Sequence, residues 1–208
     1  MTSASPALPS VPVAILAAGR ASRFGGGKLD AACAGKPLGR WVLDAVAAAG
    51  APPGLLIVGP EAPVFAQEAM VDGWTLITNP QPERGLGTSV ALAALHADCL
   101  RAEGLLLLLA DMPLTSAGTI RTMLDHAPSA TPIAVRYPSG KAGVPARFPA
   151  AMLEELSRLD GDRGAASLMQ GRQDIHLIDV PSDTVIDVDD PAALIRAEAL
   201  LAKVSHLG

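Results

Sequence analysis

Short runs of apolar or β-branched residues alternate along this chain with longer stretches that are apolar at helical spacing, and the links between them are brief. Residues 11–17, 55–58, 74–78 and 105–110 read as strands. A run without a polar residue, such as 105–110, suits the middle of a parallel sheet covered on both faces. Residues 38–49, 61–71, 88–101 and 115–126 have the helical period. Gly50 ends the first of these, and Thr88 or Ser89 is a suitable N-cap for the third. Further along, 133–135, 144–148, 175–180 and 184–188 are strand-like. Residues 149–159 and 163–170 are helical, the latter capped by Asp162, and Pro191 opens the last helix. This alternation predicts an α/β fold: a doubly wound, mostly parallel sheet with helices on both faces. No repeat and no internal linker is visible, so residues 11–208 form one domain behind a flexible tail at 1–10, which is rich in Ser, Pro and Ala. Ligands of such sheets bind beyond the carboxyl ends of the strands, so the chemistry is sought in the segments that follow them.

Composition removes several classes. Half of the 208 residues are hydrophobic and 18% are charged, which supports a core and not a disordered chain. Aromatics make up only 3%, so no stacking platform for single-stranded nucleic acid is expected. No apolar run is longer than the six residues 105–110, whereas a membrane-spanning helix needs ~20. Residues 1–12 lack the basic and apolar regions of a signal peptide. Cys33 and Cys99 offer neither metal-ligand spacing nor a disulfide framework and read as buried thiols, so a cytoplasmic location is expected.

The net charge of −5 hides an asymmetry. Residues 1–40 hold Arg20, Arg23, Lys28, Lys36 and Arg40 against Asp30 alone, a local +4 that leaves −9 for the rest. A globally acidic protein does not hold a nucleic-acid backbone without a broad basic face. A small positive cluster suits a small polyanion such as a nucleotide, and a solvated surface is the plain alternative.

That cluster lies in the loop after the first strand, Leu16-Ala17-Ala18-Gly19-Arg20-Ala21-Ser22-Arg23-Phe24-Gly25-Gly26-Gly27-Lys28. It is not a Walker loop, because Leu29 follows Lys28, and it is not a G-x-G-x-x-G fingerprint. Small residues let the backbone approach a ligand and line up its N–H groups, while Arg23 and Lys28 add positive charge. The full spacing resembles the L-A-A-G-x-S-x-R-M-G-x-x-K signature of the MobA-like nucleotidyltransferases, and most of all their MocA branch, the molybdenum cofactor cytidylyltransferases. The resemblance continues through Gly35-Lys36-Pro37-Leu38, Gly85-Leu86-Gly87-Thr88-Ser89-Val90 and Asp111-Met112-Pro113. It extends to Gly143-Val144-Pro145-Ala146-Arg147-Phe148, Gly161-Asp162-Arg163-Gly164-Ala165 and Asp187-Val188-Asp189-Asp190-Pro191. Five positions depart from the pattern. Ala21 replaces Ser and Phe24 replaces Met; Ala146-Arg147 and Ala166 differ in segments expected to face the acceptor.

The resemblance implies a Rossmann-like nucleotidyltransferase that moves CMP from CTP to the phosphate of molybdopterin and releases pyrophosphate. The Ala17-Ala18-Gly19 version of the loop goes with CTP, whereas Ala-Gly-Gly goes with GTP. A phosphate nucleophile is already anionic, so catalysis is mostly positioning and charge neutralisation. That agrees with the scattered placing of His96, His126, His176 and His206, each read as structural or surface. In this reading the backbone at Leu16, Ala17, Ala18 and Gly19 meets base and phosphates, and Arg23 and Lys28 neutralise the triphosphate as the catalytic cations. Gly87, Thr88 and Ser89 also belong to the nucleotide site, with Thr88 and Ser89 either capping their helix or reaching the base. Asp111 and Asp189 would hold Mg²⁺. The plain alternatives are a turn-forming role for Asp111 and a helix N-cap for Asp189, with Asp190 competing for that cap. Residues 161–164 are either a turn or an acceptor-phosphate loop. The partner implied is a molybdoenzyme of the xanthine dehydrogenase type, with no nucleic acid and no membrane. Three readings stay open beside this one: transfer to another phosphorylated acceptor such as a sugar phosphate, an NAD(P)H-dependent reductase of the nicotine-blue oxidoreductase type, and a cofactor-insertion partner without turnover.

Overall fold

The computed structural model describes residues 11–19, 24–127 and 130–205, with 204 and 205 by backbone alone. The expected tail at 1–10, together with Arg20, Arg23 and His206, lies outside the described residues. The first strand, β1 (Val13–Ala17), buries all five of its side chains. Val13, Ile15 and Ala17 enter one core while Ala14 and Leu16 enter another. Successive side chains of a strand point to opposite faces, so a strand packed on both sides can afford no polar residue.

After β1 a 3₁₀ turn at Lys28–Asp30 leads into a small hairpin of β2 (Ala32–Cys33) and β3 (Lys36–Pro37). Then come α1 (Arg40–Ala48), β4 (Leu55–Val58), α2 (Phe65–Val71), β5 (Thr75–Thr78), α3 (Leu86–Cys99), β6 (Gly104–Leu109) and α4 (Ala117–Asp125). The chain continues through β7 (Ile133–Arg136), β8 (Ala142–Pro149), α5 (Leu153–Ser157), β9 (His176–Asp179) and α6 (Pro191–Ser205). The main sheet runs β5-β4-β1-β6-β8-β7-β9, with β8 alone antiparallel to its neighbours. One face is covered by α1, α2, α4 and α6 through residues such as Val42, Phe65, Ile120 and Ala197. The other is covered by α3 and α5 through Val90, Ala94, Leu153 and Leu156. The doubly wound, mostly parallel α/β arrangement is the one expected. Among the described residues no helix is long and apolar enough to cross a membrane.

Chain order places the cleft. From β1 the sheet grows outward to β4 and β5, then returns to add β6 on the other side of β1. The carboxyl ends of β1 and β6 lie side by side where the strand order reverses, and ligands of open α/β sheets settle at such a switch point.

Three local expectations are corrected. Residues 184–188 do not form a strand: Ser182–Val185 is a 3₁₀ turn, and the Val188 N–H donates to the Asp111 carbonyl at 3.0 Å. That bond carries the segment across the ends of the strands instead of into a ladder. The helix expected at 163–170 is a five-residue 3₁₀ turn, Ala165–Met169, preceded by Gly164 with no side-chain cap from Asp162. This segment lies against the start of α3, where a Cβ on Gly164 would come within 2.9 Å of Leu86 Cδ2. Finally, α3 begins at Leu86, so neither Thr88 nor Ser89 is its N-cap; Gly85 holds that place at φ +112°, without a side-chain cap. The last helix does open at Pro191, as expected.

Candidate active site

Lys28 carries the first half of the site. Gly27 adopts φ +61° and its carbonyl accepts the N–H groups of Asp30 and Ala31, which fixes the Lys28 backbone in a tight turn. Asp30 in the same turn accepts the N–H groups of Val64 and Phe65 at 2.8 and 3.0 Å, so the loop is also tied to α2. From that base the Lys28 side chain, only 9% exposed, brings Nζ to 2.7 Å from Asp111 Oδ2 and 3.3 Å from Asp189 Oδ1.

The two carboxylates reach this point by different routes. Asp111 stands two residues past the end of β6. Asp189 is delivered by the crossing segment that the Val188–Asp111 bond holds. The capping place that Asp189 could have taken is held by its neighbour: Asp190 Oδ1 accepts the Ala193 N–H at 2.7 Å in the first turn of α6. Asp189 is thereby left to face Lys28.

Charge in the cleft is unevenly balanced. Burial alone would lower the Lys28 pKa, but the Coulombic pull and hydrogen bond of Asp111, followed by those of Asp189, raise it above the usual lysine value. Asp187 is the residue that sequence reasoning quoted but did not single out. Desolvation, then the charges of Asp111 and Asp189, push its carboxyl up to about 6. Among the described residues, two carboxylates and this third acid lie near the Lys28 ammonium. Among the described residues no three His, Cys, Asp or Glu group into a metal cage. A pair of carboxylates is the donor set that a hard divalent cation takes together with substrate phosphates.

A hollow of about 330 Å³ lies at the same edge of the sheet, lined by Ala17, Ala18, Gly19, Gly59, Pro60 and Glu61 with Pro82 and Glu83. It brings together three of the four expected backbone contacts. The fourth, Leu16, packs in the core, and its carbonyl accepts the Ala110 N–H.

Thr88 and Ser89 are organised by Asn79, a residue that sequence reasoning missed. Asn79 follows β5, is 1% exposed, and donates Nδ2 to Thr88 Oγ1 at 2.8 Å and to Ser89 Oγ at 2.9 Å. An Asn-Pro pair directly after a strand was the available signal. Gly87 faces the 160–163 segment, where a Cβ would come within 2.8 Å of Arg163 O and of Asp160 N, and its N–H donates to Gly161 O. The two glycine motifs thus pack on each other, with Arg84 paired to Asp160 across the contact.

Among the described residues the local +4 is not a free positive patch. Lys36 pairs with Asp44 and lies 3.6 Å over the Trp41 ring, and Arg40 pairs with Asp44 and Asp72. Asp44 of α1 and Asp72 just after α2 absorb these cations, and among the described residues of the cluster Lys28 is directed at the strand ends. The expectation for Ala146 and Arg147 is also corrected. Ala146 is fully buried, and Arg147 Nη1 donates to the carbonyls of Met123, Leu124 and His126 at the end of α4. Arg147 pairs with Leu106 near the start of β6, at the edge away from Asp111, so it closes a helix and does not face an acceptor. Ala166 stays exposed and lines a separate hollow with Lys141 and Met169. Of the histidines, His96 Nδ1 bonds the Leu92 carbonyl, and His126 and His176 stack 4.7 Å apart, none of them in the cleft.

No curated protein matches the chain. Among solved structures, Rv0371c from Mycobacterium tuberculosis superposes with a TM-score of 0.79 at 28% identity, over 91% of this chain and 98% of that one. Its homologue from Mycobacterium sp. strain JC1 gives 0.75 at 26% identity, over 96% and 99%. Rv0371c in complex with manganese gives 0.70 at 28%, over 91% and 98%. A CMP:2-keto-3-deoxy-manno-octonic acid synthetase complexed with CTP shares the fold, with a TM-score of 0.70 at 17% identity over 93% and 98%. The model of the MobA-like NTP transferase domain matches residues 13–177, from β1 into β9 and including both Lys28 and Asp111. With a matched region that covers most of the chain and a switch-point cleft that joins a cation to carboxylates, this protein belongs to the MobA-like NTP transferase family and is a nucleotidyltransferase.

Proposed function

We propose that this enzyme transfers CMP from CTP to the terminal phosphate of molybdopterin. An acceptor phosphate oxygen attacks the α-phosphorus, the bond to the β-phosphate breaks, and pyrophosphate leaves. The observation that carries the reading is the meeting of Lys28 with Asp111 and Asp189 at the switch point. Lys28 stabilises the charge that builds on the α-phosphate, and Arg23 joins it in neutralising the triphosphate. Ala17, Ala18 and Gly19 line the neighbouring hollow and place their backbone against base and phosphates. Thr88 and Ser89, held by Asn79, complete the nucleotide side of the cleft.

Asp111 and Asp189 would hold Mg²⁺, and the ion supplies neutralisation of phosphate charge when bound. The manganese complex of Rv0371c supports a divalent ion in this fold. CTP is supported by the Ala-Ala-Gly loop and by the CTP-bound structure that shares the fold. The molybdopterin acceptor, delivery to a molybdoenzyme of the xanthine dehydrogenase type and a cytoplasmic location rest on the likeness of the motifs to the MocA branch.

The test is pyrophosphate release with each nucleoside triphosphate, Mg²⁺ and molybdopterin, followed by mass measurement of the product. Release with CTP, and a product equal to molybdopterin plus CMP, supports the assignment. Release only with a sugar phosphate reassigns the acceptor. No release with CTP, together with NADPH oxidation on a quinoid substrate, ends the transferase reading.

A further inference from the structure

The ammonium of Lys28 occupies the point where a cation shared by Asp111 and Asp189 would sit. It is 2.7 Å from one carboxylate and 3.3 Å from the other, and ionic ligands of a hard divalent ion need a comparable approach at about 2.0–2.6 Å. The two cations exclude each other on distance and repel each other on charge. The turn around Lys28 is fixed through Gly27 and Asp30, but the side chain beyond it has four rotatable bonds and can swing without moving the backbone. We propose that Lys28 is a tethered counter-cation that closes the carboxylate pair to a bare divalent ion. It opens the pair only when the phosphates of a nucleotide draw the ammonium away.

This rests on the reading of the cleft as a triphosphate site. It adds that metal and nucleotide bind as a linked pair: the phosphates that accept the Lys28 ammonium vacate the carboxylates, and the ion that enters neutralises those phosphates. Linkage is reciprocal, so the nucleotide raises ion affinity by the same factor by which the ion raises nucleotide affinity. The device also has an energetic logic in the nucleotide-free protein. The Lys28 ammonium places positive charge between Asp111 and Asp189 and offsets their mutual repulsion.

The test is calorimetric and spin-resonance titration of Mn²⁺ into metal-free protein, with and without a non-hydrolysable CTP analogue. Without nucleotide, Lys28→Met is expected to bind Mn²⁺ at least about ten-fold more tightly than wild type, because the competing charge is gone. Lys28→Arg keeps the charge and is expected to resemble wild type. Lys28→Gln retains a donor for Asp111 and gives the same reading as Lys28→Met should the latter fail to fold. In wild type the analogue raises Mn²⁺ affinity, and in Lys28→Met that gain shrinks. Equal affinity of wild type, Lys28→Met and Lys28→Gln for the bare ion overturns the proposal even where CTP turnover is normal. Tighter Mn²⁺ binding by Lys28→Met in a protein that binds no nucleotide leaves the tethered cation standing and removes the triphosphate reading instead.

Discussion

Lys28 and Asp111 are separated by 83 positions in the chain, yet Nζ of one stands 2.7 Å from Oδ2 of the other. The lysine comes from the loop after β1 and the aspartate from the end of β6, and those two strands are neighbours in the sheet. Asp111→Asn is expected to lower CTP-dependent pyrophosphate release by at least ~100-fold and to remove its dependence on divalent ions. The Lys28 partner would then rely on Asp189, and stability falls by about 1–2 kcal/mol, less than for a fully buried pair because 23% of the Asp111 side chain is exposed. Steady-state kinetics and urea denaturation check both numbers. Wild-type activity would remove Asp111 from the site.

Arg147 offers the opposite kind of test. Its guanidinium serves three carbonyls at the end of α4, far from the strand ends that carry Asp111. Arg147→Met leaves those buried acceptors without their donor and is expected to cost about 2–3 kcal/mol in urea denaturation. KM for the acceptor in the folded protein should not change. A raised KM with unchanged stability would return Arg147 to the acceptor side.

Ala34 carries φ +49° at the first position of the two-residue turn between β2 and β3, with Gly35 at φ +89° after it. Both positive values fit the type I′ turn, in which Asn is preferred over Ala at the first position. Its N–H donates to Glu198 Oε1, a bond that Asn retains. Ala34→Asn is expected to add about 0.5–1 kcal/mol and to raise the melting temperature by ~1–4 °C in a calorimetric scan. A lower melting temperature would show that the turn is not strained at Ala34.

The two thiols should separate cleanly. Burial, then the charge of Glu198, pushes Cys33 up to about 11, whereas Cys99 is exposed and does not behave as the buried thiol expected of it. Iodoacetamide at pH 8.5 should therefore alkylate Cys99 in the native protein and both cysteines in urea, as counted by mass. The raised value also links folding to pH. Below about 9 both folded and unfolded thiols are protonated and the contribution of Cys33 is intact; above 9 the unfolded thiol ionises first, and the contribution is lost as pH climbs towards about 11. Cys33→Ala should remove that part of the decline between pH 8 and 11.

Residue patterns were most legible where local physics dominates. The strands at 55–58 and 105–110 matched closely because a sheet covered on both sides demands unbroken apolar runs. Pro191 opened its helix because its fixed φ suits a first turn. The segments 163–170 and 184–188 misled because their shape depends on partners: the start of α3 for the first, and the Asp111 carbonyl for the second. Asn79 was overlooked because its two hydroxyl partners become neighbours only when β5 and α3 pack.

The amino-acid sequence by itself determined the alternation of elements, the sheet class and the set of polar residues that follow strands, since period, chain stiffness and side-chain size act between near neighbours. Which of the described cations near the first strand would reach the cleft was decided only in three dimensions. Asp44 and Asp72 claimed Lys36 and Arg40, whereas Asp111 and Asp189 took Lys28. Charge acts through space, and the return of the chain from β5 across β1 to β6 set which charges came within reach.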